Sequence, residues 1–295
     1  MRIILNILML SLIPPRAIAG EVPPDLLAPP DAALEASHDP GPPAPRPEHG
    51  KAFTGDATTL DPGRVEVEIA YAPSWWATAG AVDRLSGEQH QVAAALSVGV
   101  VPDLDARIVV GWALVHAAPE APGAPVHGEG FADTTVAARF RFLSLSDPAL
   151  DLAVSAGVTL PTGTRGAPDR LGTSRESWSV GGSLLASLDR GPFTVGAELG
   201  FSAPVGPGAS NDVGLLVCNA AAGYQVLPWL QPEVEVNYQH EIELGAQPDE
   251  RVLWATAALV LPLDALRLVV GARFPVWVRD AQVGPMATAS AKLAF

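Results

Sequence analysis

Ionisable side chains recur in this sequence at every second position, interleaved with apolar ones. Arg64, Glu66 and Glu68 alternate with Val65, Val67 and Ile69. Glu233 and Glu235 alternate with Val234 and Val236, and Arg139 and Arg141 with Phe140 and Phe142. Arg107, Glu198, Glu241, Arg267, Arg273 and Lys292 occupy similar positions in other runs. Charges at this spacing share one face of an extended chain. Facing one another across a closed wall, they could pair into a hydrated, salt-bridged interior. They could equally ring a constriction that sorts solutes by charge.

Other constellations are weaker. His116, His127 and Glu129 carry metal-ligating atoms in a Gly/Pro-rich stretch, but their spacing matches no strong site, and no metal or other cofactor is expected. His240-Glu241 could be half of a hydrolase relay. No serine stands in a recognisable nucleophile context, so the expectation is a protein that is not an enzyme. Cys218, the sole cysteine, lies among small residues and cannot form an intramolecular disulfide.

Such charges need strands to hold them. Period-two alternation marks twelve segments: 63–75, 88–101, 104–115, 132–143, 150–161, 176–188, 192–203, 212–226, 229–242, 251–262, 265–277 and 283–295. Between them, short turns at Asp103, 144–149, 189–191, 227–228 and 263–264 alternate with longer stretches at 76–87, 116–131, 162–175, 204–211, 243–250 and 278–282. An even strand count, with short turns at one end and long loops at the other, is the pattern of a transmembrane antiparallel up-and-down β-barrel. The chain is 48% hydrophobic. Its most apolar window, 252–272, is broken by Pro262, Asp264 and Arg267, so no spanning helix is expected. Trp75, Trp76, Trp112, Trp178, Trp254 and Trp277 fall at the long-loop end. Trp229, Phe140, Phe142, Phe193, Tyr224 and Phe295 fall at the short-turn end. Two aromatic girdles are what a membrane barrel requires.

The ends of the chain carry addresses. Arg2, the apolar run Ile3–Ile13 and Ala17-Ile18-Ala19 read as a signal peptide, residues 1–19, cleaved after Ala19. Residues 20–62 are rich in proline and alanine, and Glu21–Pro62 holds eight acids against two bases. Such a segment buries too little apolar surface to offset its ordering entropy, so it is expected to be a disordered periplasmic leader and not a folded plug. Residues 63–295 are expected to form the barrel. In the last strand Ala287, Ala289, Ala291, Leu293 and Phe295 share the apolar phase, and Leu293 and Phe295 are the candidate signal for the barrel-assembly machinery. A net charge of −14 makes nucleic acid a poor partner. The expected partners are outer-membrane lipid, the assembly machinery and a small solute.

The stretch Phe131-Ala132-Asp133-Thr134-Thr135-Val136-Ala137-Ala138-Arg139-Phe140-Arg141-Phe142-Leu143 resembles a recurring strand of the outer-membrane family named for the MetA pathway of phenol degradation. In that family a Gly/Asp pair opens a strand ending in alternating basic and aromatic residues; here Ala132 stands for the glycine. Leu160-Pro161-Thr162-Gly163, Gly172-Thr173 and Ser177–Gly181 continue the resemblance, which is clearest from Phe131 to Phe201. It implies an outer-membrane barrel and a transporter. Twelve strands enclose a lumen between those of filled eight-strand barrels and sixteen-strand porins. The functional expectation is a passive channel for small organic solutes, apolar or aromatic ones included. The alternatives are a structural or surface-binding barrel with a blocked lumen, and an outer-membrane hydrolase.

Overall fold

The computed structural model describes residues 52–77, 85–119, 126–146, 148–166, 172–174, 177–206, 212–243, 249–281 and 283–295. They form the strands β1 (Val65–Ala77), β2 (Leu85–Val101), β3 (Leu104–Pro119), β4 (Val126–Phe131), β5 (Thr134–Ser146), β6 (Ala149–Leu160) and β7 (Trp178–Arg190). There follow β8 (Phe193–Val205), β9 (Asp212–Tyr224), β10 (Gln231–Glu243), β11 (Glu250–Leu263), β12 (Leu266–Arg279) and β13 (Met286–Ala294). Every pairing is antiparallel, and β1 pairs with both β2 and β13, which closes the sheet. β4 and β5 both pair with β3 and share one place in the ring, so the barrel has twelve staves.

Closure satisfies the backbone. At the seam Glu66 lies opposite Ala294, Val67 opposite Leu293 and Glu68 opposite Lys292. The Phe295 amide donates to the Val65 carbonyl at 2.8 Å and the Val65 amide to the Phe295 carbonyl at 3.3 Å. In hydrocarbon, an unpaired edge would leave amides and carbonyls that water cannot serve. The tight turns between β2 and β3, β7 and β8, and β11 and β12 place Asp103 (φ 64°), Gly191 (φ 59°) and Asp264 (φ 50°) in the left-handed region, which aspartate and glycine tolerate best.

Alternation sorts the side chains. Ile69 is 57% exposed and Val234 62%, whereas Asn237, on the other phase of β10, is 1% exposed. In a folded protein whose exposed phase is valine, leucine and isoleucine, that phase is the lipid face. Trp75, Trp112, Trp178 and Trp277 are exposed towards the long-loop end, and Phe193, Tyr224 and Trp229 at the other. This is a bacterial outer-membrane β-barrel. The described residues contain no helix long and apolar enough to cross a membrane, and a barrel crosses with strands.

All twelve expected segments are present as strands, with ends displaced by no more than four residues. Three local features differ from the sequence reading. The stretch 116–131 is not wholly loop, since β3 continues to Pro119 and β4 returns from Val126, with His116 opposite His127. The inward positions of β4 are Gly128 and Gly130, which give no alternation to detect. Trp254 does not join the exposed girdle: it is 2% exposed, next to a register shift at Leu253/Trp254. Both phases of β11 are apolar there, so the pattern alone cannot orient it.

The third difference concerns the leader, drawn above as 20–62. Of these, residues 52–60 lie against the inner wall, and Asp61 and Pro62 are exposed at the turn into β1. Ala57 is fully buried, in contact with Ala153 and Leu185, and Gly63 donates to the Gly99 carbonyl at 2.8 Å. Gly99 must be glycine here, because a Cβ would fall 1.9 Å from the Asp61 carbonyl oxygen. Residues 1–51, including the signal peptide and most of the leader, lie outside the described residues.

Candidate functional site

The inward charges gather into three groups. The first lies at the seam. Arg107 donates to Glu68 at 2.7 Å across β2, and Lys292 meets Glu66 at 3.0 Å. Arg267 sits opposite Lys292 in register. The second group is on β3, β5 and β6. Arg139 donates through Nε (3.2 Å) and Nη2 (2.5 Å) to Asp105, while Arg141 meets Asp103 at 2.6 Å and Asp151 at 3.6 Å.

The third group holds Glu198, Glu233, Glu235 and Arg273, around the interior segment. The Glu235 carboxylate, 2% exposed, accepts from the Ala52 amide (2.7 Å), the Phe53 amide (3.0 and 3.2 Å), the Thr54 hydroxyl (3.0 Å) and Asn237 Nδ2 (3.2 Å). Glu233 accepts from the Ala52 amide at 3.3 Å. Glu198 accepts from the Gly55 amide and Asn219 Nδ2, both at 2.9 Å. Ser187 accepts from the Ala57 amide at 3.0 Å and donates to Asp56 at 2.8 Å. Arg139 donates to the Asp56 carbonyl at 2.7 Å, and the Leu60 amide donates to Asp105 at 3.2 Å.

The path of the segment follows from these contacts. It runs from β10 past β8 and β7 to β5 and β3, then turns into β1. Asp105, Ser187, Glu198 and Glu235 all sit within five residues of the short-turn ends of their strands. The segment therefore crosses the barrel in its short-turn half, held by side-chain acceptors instead of a strand ladder. Charge-assisted hydrogen bonds of this kind are the stronger class, and they keep the carboxylates satisfied in a place where bare burial would be costly. Behind them, Thr256 donates to Asn237 at 2.9 Å and Asn237 to Asn219 at 3.3 Å, which fixes the wall.

The sequence sets the acids on one phase and does not say what they hold. Phe53 is the one aromatic residue between 21 and 62, and Phe53-Thr54-Gly55-Asp56-Ala57-Thr58-Thr59 breaks the Pro/Ala composition. That shift was a usable signal. Asp105, Ser187, Asn219 and Asn237 lay on inward phases without standing out.

The remaining candidates lie elsewhere. His116 and His127 are in edge-on contact with ring centroids 4.3 Å apart, on the outward phase near the long-loop end. Among the described residues no three metal-ligating side chains converge. His240 Nε2 meets Asp249 at 3.0 Å and accepts from Arg251 Nε at 3.3 Å, at the β10–β11 end. Cys218 pairs in register with Leu199 and Tyr238.

The model of the family described as "Putative MetA-pathway of phenol degradation" matches residues 95–242, half of the chain, from within β2 to the end of β10. The chain belongs to this family. Comparison with curated proteins gives no match. Among solved structures, an outer membrane channel from Pseudomonas putida F1 shares the fold, with a TM-score of 0.66 and 12% identity over 83% of this chain and all of that one. The translocator domain of the autotransporter NalP from Neisseria meningitidis scores 0.46 at 9% identity, over 80% of this chain and 89% of that one. The beta domain of the Bordetella autotransporter BrkA also scores 0.46, at 10% identity over 79% of this chain and all of that one.

The family stretch has a clear structural task. β4 stops and β5 starts at Ala132-Asp133, and Asp133 accepts from the Gly163 amide at 2.8 Å and from Ser174 at 2.7 Å. Thr162 Oγ1 accepts from the Thr134 amide at 2.9 Å, and the Thr164 amide donates to the Phe131 carbonyl at 2.9 Å. The Leu160-Pro161-Thr162-Gly163 motif thus clasps the outgoing loop to the strand break. Ala132, where the family has glycine, packs toward Gly111, which has the room to receive its methyl group.

Proposed function

We propose that this family member is a passive outer-membrane channel for small organic solutes, closed in this conformation by its own residues 52–60. The observation that carries the reading is the segment itself. It is a single strip, bent over residues 52–54, bound to Glu235, Glu198, Ser187 and Asp105 through about one hydrogen bond per residue, and it contributes to no sheet. A strip held this way can leave without unzipping any stave. The ion pairs Glu68–Arg107 and Asp105–Arg139 belong to the strands and would leave a polar wall behind. Solute passage needs no energy-coupling element.

The same segment favours a second reading, a barrel whose lumen stays blocked. Conductance in planar bilayers separates them. The full chain should show a small, intermittent conductance, and a variant lacking residues 52–60 a larger, sustained one. A folded deletion variant that passes neither current nor solute in liposome swelling defeats the channel and leaves the blocked barrel. The hydrolase reading is tested by incubation with lipid: an unchanged lipid profile removes it.

A further inference from the structure

Phe53 makes two contacts at once. Its ring packs on the Arg273 guanidinium, with 4.5 Å from Cζ to the ring centroid. Its amide donates to both oxygens of Glu235. The other half of this site belongs to the strands. Trp254 lies on the same guanidinium at 4.5 Å, and Arg273 donates from Nε (3.1 Å) and Nη2 (2.9 Å) to the Met286 sulfur. Arg273 is 6% exposed.

Departure of the segment would leave the strand half intact and short of partners. Arg273 would keep Trp254 and lose one ring. Glu235 would lose the amides of Ala52 and Phe53 and the hydroxyl of Thr54. A desolvated guanidinium attracts a π face, and a buried carboxylate needs donors. The geometry points to a binding site here for a small, non-anionic aromatic molecule carrying a hydrogen-bond donor a short link from its ring. Phe53 is the built-in competitor for that site, presenting a ring and an N–H in one residue. With its ring on Arg273, a ligand turns its donor end to Glu235, and the carboxylate repels an anionic end there. The site rests on the channel reading, since a solute reaches it through the barrel, and it gives that reading a substrate class.

The probe is 2-phenylethanol, whose hydroxyl and ring imitate Phe53. Binding is measured by calorimetry on the detergent-refolded full chain, with folding confirmed by heat-dependent gel mobility. An apparent affinity is reduced by the fraction of protein in the competent state, so Phe53→Ala should tighten binding at least tenfold. Phe53→Leu, which keeps bulk and loses the ring, should tighten it by less and guards against a folding failure of the alanine variant. Adding Arg273→Met to Phe53→Ala should abolish the gain. On Phe53→Ala, 2-cyclohexylethanol and phenylacetate should each bind at least fivefold more weakly. No gain in either folded Phe53 variant, or equal binding of 2-cyclohexylethanol, overturns the site. Conductance on the same preparations keeps the two claims apart. A barrel that conducts without binding overturns the site alone, and one that binds without conducting upholds the site and overturns the channel.

Discussion

Glu235 shows how one side chain can hold a conformational state. It accepts four of its hydrogen bonds from the segment, across two backbone amides and one hydroxyl, and a fifth from Asn237. Hydrogen bonds to a charged group contribute about 1.5–3 kcal/mol each. Glu235→Gln keeps the shape and one carbonyl oxygen but gives up the charge and one acceptor. We expect the open fraction in bilayer recordings to rise about tenfold, equivalent to about 1.4 kcal/mol. An unchanged open fraction would mean that the other anchors suffice. Ile69 tests the opposite face. It is exposed at mid-strand in β1, so Ile69→Arg should destabilise the inserted barrel by roughly 2–4 kcal/mol, read as a shift in the denaturant midpoint after refolding into lipid; a conservative change at inward Ser97 should shift it far less. At this scale the sequence was legible in phase and not in partnership. Period two put Glu66, Glu68, Glu198 and Glu235 on one face, but pairing is set by register and strand tilt. Nothing near Arg107 in the sequence says that it reaches over β2 to Glu68.

Two elements carry most of the local design. The first is the clasp at Asp133. A Cβ on Gly163 would come within 2.8 Å of both Asp133 Oδ1 and the Phe131 carbonyl. Gly163→Ala should therefore loosen the β4–β5 break, giving faster hydrogen exchange at Thr134 and Thr164 while the amides of β10 and β11 keep their protection. Equal loss in β10 would show that the clasp supports the whole barrel. The second is the closing strand. Phe295 exchanges two backbone hydrogen bonds with Val65, so deleting it removes part of the seam along with its ring. Phe295→Ala isolates the ring, which is 64% exposed. If the assembly machinery reads that ring, cells should show a lower outer-membrane yield for this variant, and refolding in detergent should be little changed. Normal yield would remove Phe295 from the proposed signal. Strands were legible wherever one phase was apolar and the other polar. They were illegible where glycine blanked a face, as in β4, or where both faces were apolar, as around Trp254.

At the scale of the molecule, the barrel and the acidic stretch that precedes it overlap, because residues 52–60 bond to the inner wall. Composition alone marks Glu21–Pro62 as burying too little apolar surface to fold by itself. The interior supplies what the segment lacks, since Glu198, Glu233, Glu235, Ser187 and Asp105 of the wall accept from its amides. A nested pair of deletions tests where the leader ends in function. Removing residues 20–50 should leave the conductance of the full chain, and removing residues 20–60 should raise it severalfold. A rise already complete in the shorter deletion would move the closing element upstream. The fold could be read without coordinates because membrane barrels obey a period that survives in the sequence. The occupied lumen could not, because contacts such as Gly55–Glu198 join residues 143 positions apart.

The turn at Asp61–Arg64 also makes the segment a leash. The Arg64 amide donates to the Asp61 carbonyl at 3.0 Å, and Gly63 turns the chain at φ 79° into the first stave. Phe53 lies eight residue steps before Asp61, a span of at most about 28 Å when fully extended. A released segment therefore stays within a barrel's length of its seat, at an effective concentration on the order of millimolar. Recapture is then first order, and dwell times should be the same in dilute and crowded membranes. A barrel cut free of its leash would need millimolar amounts of the loose peptide to recover the same silence.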